Sequence, residues 1–170
     1  SWKIVTLDGL EVSLSYDPIN SRSPELNRWL EVRDTSSNAY VEIGSDLRHA
    51  LTNWTLEAWV RPMTNGLQEA NIVSRSVADG TYNFRLGLKP SVINSGTGYV
   101  AFAQVTDMTH GAVDTLVADT VDFSNLDRSL TTGEWNHVAA TYGSDDAGRR
   151  QLKIYLNGLK WAEMTANTLL

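Results

Sequence analysis

The chain is 170 residues long and carries 14 basic against 20 acidic residues, a net charge of −6. That length fits a single domain, residues 1–170, with enough core to need no metal or disulfide staple. The mild acidic balance argues against a partner built of nucleic-acid phosphates or anionic lipid. The absence of cysteine excludes disulfides, thiolate metal sites and cysteine nucleophiles together. No apolar run approaches the roughly 18 residues that span a bilayer, so no membrane insertion is expected. The chain opens on Ser1, neither a methionine nor a signal peptide, and reads as a processed or excised piece of something longer.

Valine, threonine and isoleucine make up 36 of the residues, a bias toward pleated structure. Strand signals are alternating or apolar runs bounded by Gly, Pro, Asn, Asp and Ser. In chain order they fall at Leu10–Tyr16, Trp29–Arg33 and Tyr40–Ile43, with Ser21–Asn27 read as a loop and Ser45–Leu51 as a possible helical turn capped by Ser45. Trp54–Val60 sets Trp54, Leu56, Ala58 and Val60 on one face and Thr55, Glu57 and Trp59 on the other. Ile72–Ser76 and Tyr82–Leu88 flank the turn Ala78-Asp79-Gly80, and Tyr99–Val105 and Ala112–Ala118 flank Thr106–Gly111. Trp135–Tyr142 and Gln151–Leu156 flank the loop Gly143–Arg150. Asn157-Gly158 then predicts that Leu159–Met164 folds back on Lys153–Leu156. About ten short strands without a long amphipathic helix make an all-β fold, an antiparallel β-sandwich.

Particular runs carry a resemblance. Leu30-Glu31-Val32-Arg33 with Ser37–Ile43, and Thr55-Leu56-Glu57-Ala58-Trp59-Val60-Arg61-Pro62 followed by Ile72–Arg75 and Tyr82–Leu86, resemble the opening of a laminin G-like, concanavalin A-like jelly roll. The most specific stretches are Leu130–Ala139, containing Gly133-Glu134-Trp135-Asn136-His137, and Leu152–Gly158. The family-like core covers 30–164, with 1–29 a weakly matched first strand and loop. The resemblance implies a further pair of strands after the Asn-Gly hairpin. The chain stops twelve residues past Gly158, so the C-terminal strands are expected to be missing or supplied by a neighbouring segment or partner. The segment Lys89–Arg128, which starts rich in Gly, Asn and Ser, reads as an elaborated loop region on the rim.

Glucanases of this fold pair two glutamates on one strand, because glycoside cleavage needs two carboxylates about 5–9 Å apart. No such arrangement is present: Glu57 has no acidic partner at 55 or 59, and no catalytic residue is assigned. His49, His110 and His137 lack zinc-site spacing, and His137 reads as a buried, hydrogen-bonded strand residue. No nucleophile elbow or phosphate-cradling glycine loop occurs. The resemblance extends to relatives that hold calcium on the sandwich rim and points to Asp79; Asp107 and Asp145 join it as candidate oxygen ligands from the rim acids, which also include Asp114 and Asp146. Ligand stacking is expected at Trp59, Tyr82 and Tyr99, whereas Trp54, Trp135 and Trp161 read as core or staple residues.

The resemblance implies a non-catalytic recognition or adhesion module of a larger extracellular or surface protein. Its partner would be a glycan or a cell-surface protein, beside neighbouring domains of the parent chain. Two other roles stay open: a structural spacer completed by a neighbouring segment, and a glycoside hydrolase of the same fold.

Overall fold

The computed structural model describes residues 2–5, 12–16, 28–32, 40–43, 53–63, 68–78, 81–91, 98–106, 113–118 and 129–166. The chain forms two compact units, Ser1–Leu47 and Arg48–Leu170. In the first, β1 (Trp2–Val5) pairs antiparallel with β4 (Tyr40–Ile43), and β2 (Val12–Tyr16) pairs antiparallel with β3 (Arg28–Val32). β1 is a strand that the sequence pattern does not announce. The loop expected at Ser21–Asn27 and the helical turn at Ser45–Leu51 fall outside the described residues.

The second unit holds β5 (Trp54–Val60), β6 (Ala70–Ala78), β7 (Thr81–Pro90), β8 (Tyr99–Thr106), β9 (Val113–Val117), β10 (Asn136–Ser144), β11 (Arg150–Leu156) and β12 (Leu159–Thr165). They build two four-stranded antiparallel sheets, ordered β12-β11-β10-β5 and β6-β7-β8-β9. The expected antiparallel sandwich is therefore present. The stretch Lys89–Arg128 is not a rim elaboration throughout, because Lys89 and Pro90 finish β7 and the segment then supplies β8 and β9 to a sheet.

Alternation explains which faces meet. In the first sheet Leu56, Ala140, Ile154 and Ala162 line up across four strands, and Trp54, Tyr142, Leu152 and Met164 form the next row. Leu86, Ala103 and Val105 oppose them from the second sheet in one buried cluster, against which the half-buried Leu56 and Met164 pack. Val138, Ala140, Leu152 and Ile154 are fully covered. Burying a side chain of this kind stabilises by about 1.5–3 kcal/mol before entropy is counted.

Two devices set the end of the first sheet. Asn157 (φ 49°) and Gly158 (φ 81°) both take the left-handed conformation that a tight hairpin requires. The Asn157 side-chain oxygen also accepts from the His137 backbone N–H at 2.8 Å, tying the hairpin to β10. A bulge beside Ile154 and Tyr155 leaves Trp161 as the extra residue of β12, and its indole N–H donates to the Leu156 carbonyl at 3.1 Å. Trp161 is thus a staple, as its sequence position suggests.

Candidate functional site

The face of the β12-β11-β10-β5 sheet that points away from the core carries the residues between the buried ones. Register places Trp59 beside His137, Glu57 beside Ala139 and Tyr155, and Thr55 beside Thr141 and Lys153. The middle strand is therefore floored by Ala139, Thr141 and Gly143, all small. β5 raises Trp59, Glu57, Thr55 and Asn53 on one side, and β11 raises Tyr155, Lys153 and Gln151 on the other. The result is a trough along β10. Its lower end is a cavity of about 400 Å³ lined by Asn53, Thr55, Thr141, Gly143, Asp145, Gln151 and Lys153, among others.

The upper end is aromatic. Trp59 is 65% exposed, and its ring centroid lies 5.2 Å from that of His137 at an interplanar angle of 53°. Glu57 Oε2 sits 3.5 Å from His137 Nε2. His137 is accordingly not the buried core histidine expected from the sequence; it lies half-buried on the outer face and braces the indole. Trp135, read as core or staple, is 45% exposed, which removes the core alternative. The loop before it is pinned: Arg61 Nε donates to Gly133 O at 2.7 Å, Gly133 N–H to Pro62 O at 2.7 Å, and Asn136 Nδ2 to Glu134 O at 3.0 Å.

Among the described residues, several polar atoms of the trough have no hydrogen-bond partner. Asn53 Oδ1 accepts from Arg150 Nη1 at 2.6 Å, which leaves its Nδ2 donors uncommitted. Thr55, Thr141 and Tyr155 make no side-chain hydrogen bond among the described residues, and Lys153 makes no ion pair there. Exposed donors and acceptors beside an exposed indole form a surface suited to a ligand with many hydroxyls and an apolar ring face.

The other sequence-selected residues lie elsewhere. Tyr82, on β7, is half-buried with the Arg85 guanidinium 4.7 Å from its ring centre. Tyr99, on β8, is half-buried, packs against the core cluster and bridges to Leu130. β7 and β8 run antiparallel with Pro90 opposite Tyr99, so the two tyrosines sit at opposite ends of that sheet. Neither joins Trp59. Of the proposed calcium ligands, Asp79 and Asp107 fall outside the described residues. Asp114 is buried on β9, and Asp146 is exposed in the β10–β11 turn.

Asp145 closes that turn. Its Oδ1 accepts from the backbone N–H of Ala147 at 3.0 Å and of Arg149 at 2.8 Å, while Oδ2 accepts from Arg149 Nε at 2.8 Å and Gln151 Nε2 at 3.4 Å. Both oxygens are committed to protein donors. Among the described residues no three His, Asp or Glu side chains gather as a metal site. The Arg149 backbone N–H, above all, holds the Asp145 carboxyl below its ordinary value of 3.8, helped by the Arg149 side chain and charge and the Ala147 N–H. A group depressed in the folded state adds stability that is complete above its unfolded value and is lost as pH falls through the folded one. The melting temperatures of wild type and Asp145→Asn should therefore differ by a constant gap from pH 7 to about 5, narrowing below about 4. A gap that stays constant to pH 2 in scanning calorimetry would refute this role.

Glu57 is one of two strand carboxylates among the described residues of this face. The other strand carboxylate of this face, Glu163, is on β12, three strand spacings from Glu57, or roughly 14 Å at about 4.8 Å each. It is held by the Lys160 ammonium, which lowers the pKa of Glu163. Two carboxylates need to stand about 5–9 Å apart to act on one bond.

A family model for the concanavalin A-like lectin/glucanases superfamily, of laminin G type, matches residues 34–169. The chain belongs to this laminin G-like family. Its two antiparallel sheets are the sandwich that membership implies, and the match takes in every strand of the trough. No curated protein matches the sequence.

Proposed function

We propose that this laminin G-like domain is a non-catalytic recognition module of a larger extracellular or surface protein and that it binds glycan in the trough along β10. One observation carries the reading: an indole 65% exposed, braced by His137, stands at the head of a row of uncommitted polar groups. An exposed tryptophan gives a pyranose ring an apolar platform, and the threonine, asparagine, lysine and tyrosine groups answer its hydroxyls. Of the described acids, Asp145 borders the lower cavity and has both oxygens committed to protein donors.

The test is a glycan array probed with the whole chain. Binding to a defined set of glycans is expected, unchanged by EDTA and weakened at least about tenfold, or about 1.4 kcal/mol, by Trp59→Ala. A blank array would favour the structural spacer. Release of reducing ends from any polysaccharide would replace binding with catalysis.

A further inference from the structure

We propose that the trough takes an internal stretch of a linear glycan at least about three rings long, lying along β10, rather than a single terminal sugar. This rests on the glycan reading above and concerns the shape of the ligand. The two features suited to a sugar are separated along the sheet. The Trp59–His137 pair lies four residues from the Thr55–Thr141 pair, roughly 13 Å at about 3.3 Å per residue. One pyranose, roughly 5 Å along a chain, covers the indole or the polar cavity and not both, whereas about three rings in line reach from one to the other at that strand rise.

The floor between those features supports a continuous ligand. Ala139 is 7% exposed beneath its neighbours, Thr141 follows, and an added Cβ at Gly143 would find Asn53 Oδ1 at 3.7 Å as its nearest neighbour. The outward-facing residues of β10 beyond His137, Ala139, Thr141 and Gly143, are all small. The walls are two strand spacings apart, roughly 10 Å, with Glu57 and Tyr155 facing each other across Ala139. Side chains rising from both walls narrow that backbone spacing further, which disfavours a branch at its middle. The lower cavity of about 400 Å³ is of the size that takes a small ligand group.

The experiment uses an array of linear homo-oligosaccharides of one to six rings beside branched glycans ending in the same sugars, followed by titration calorimetry of the bound series. Affinity should rise at least about tenfold from one ring to three and level off beyond about four. Thr141→Tyr, which blocks the floor, should erase that gain. Equal affinity for one ring and four, preference for branched termini, or a Thr141→Tyr variant that keeps the length dependence would each overturn the proposal while leaving glycan recognition intact. An array blank for every member would remove both.

Discussion

Replacing Trp54 with alanine should destabilise the domain by about 3–5 kcal/mol, the range for emptying a core tryptophan site. Trp54 is 5% exposed and joins the two sheets. Its ring stacks on Tyr142 of its own sheet at 5.8 Å and meets Phe84 of the opposite sheet at 5.9 Å. Removing it strips contact from both layers at one point, and the surrounding strands cannot collapse without losing register. Trp54→Phe should behave differently. The indole N–H is buried with no hydrogen-bond acceptor among the described residues, so phenylalanine keeps part of the stack and relieves a donor that folding desolvates at a cost of about 1–3 kcal/mol. Urea unfolding of the two variants should place Trp54→Phe far closer to wild type. Equal losses would mean that the N–H has a partner.

Gly87→Ala should cost toward the upper end of the about 1–3 kcal/mol typical of overpacking. A Cβ there would lie 2.5 Å from the Phe102 ring and 2.6 Å from the Ala70 carbonyl oxygen. Neither neighbour can yield cheaply. Phe102 is 1% exposed and lies under the Arg85 guanidinium at 4.7 Å. Arg85 is itself held by Glu69, Asn71 and Gln104. The Ala70 oxygen belongs to the β6 backbone, where movement disturbs the ladder to β7. Gly143→Ala is the control, its nearest neighbour being Asn53 Oδ1 at 3.7 Å. A midpoint in urea for Gly87→Ala equal to that control would remove the argument.

The strands that form the trough were largely legible. Alternation in Trp54–Val60 separates Trp54 from Trp59 before any coordinates are seen, and Asn157-Gly158 announces the β11–β12 hairpin that the backbone angles bear out. Parity in Val138, Ala140 and Tyr142 likewise puts His137, Ala139 and Thr141 together on one face, the signal that would have found the trough floor. Reading His137 as buried missed it. Trp135 was harder, since it precedes the strand and its side depends on a loop held by Arg61 and Asn136 from different parts of the chain. Tyr82 and Tyr99 looked equivalent to Trp59 because an aromatic in a strand has the same local pattern whether it meets solvent, a guanidinium or the core.

By itself the sequence determined the all-β class, the hairpin at Asn157-Gly158, the two-sided character of β5 and the laminin G-like resemblance, because strand period and turn chemistry are local properties of the chain. Only the tertiary structure decided that Trp59 stands against His137, that Asp145 spends its carboxylate on a turn, and that Asn53, Thr141 and Lys153 border one cavity. Those facts depend on register between strands distant in sequence, with β5 and β10 brought side by side although about eighty residues separate Trp59 from His137. Pairing of that kind is fixed by which faces bury together across the whole sandwich, and no local pattern contains it.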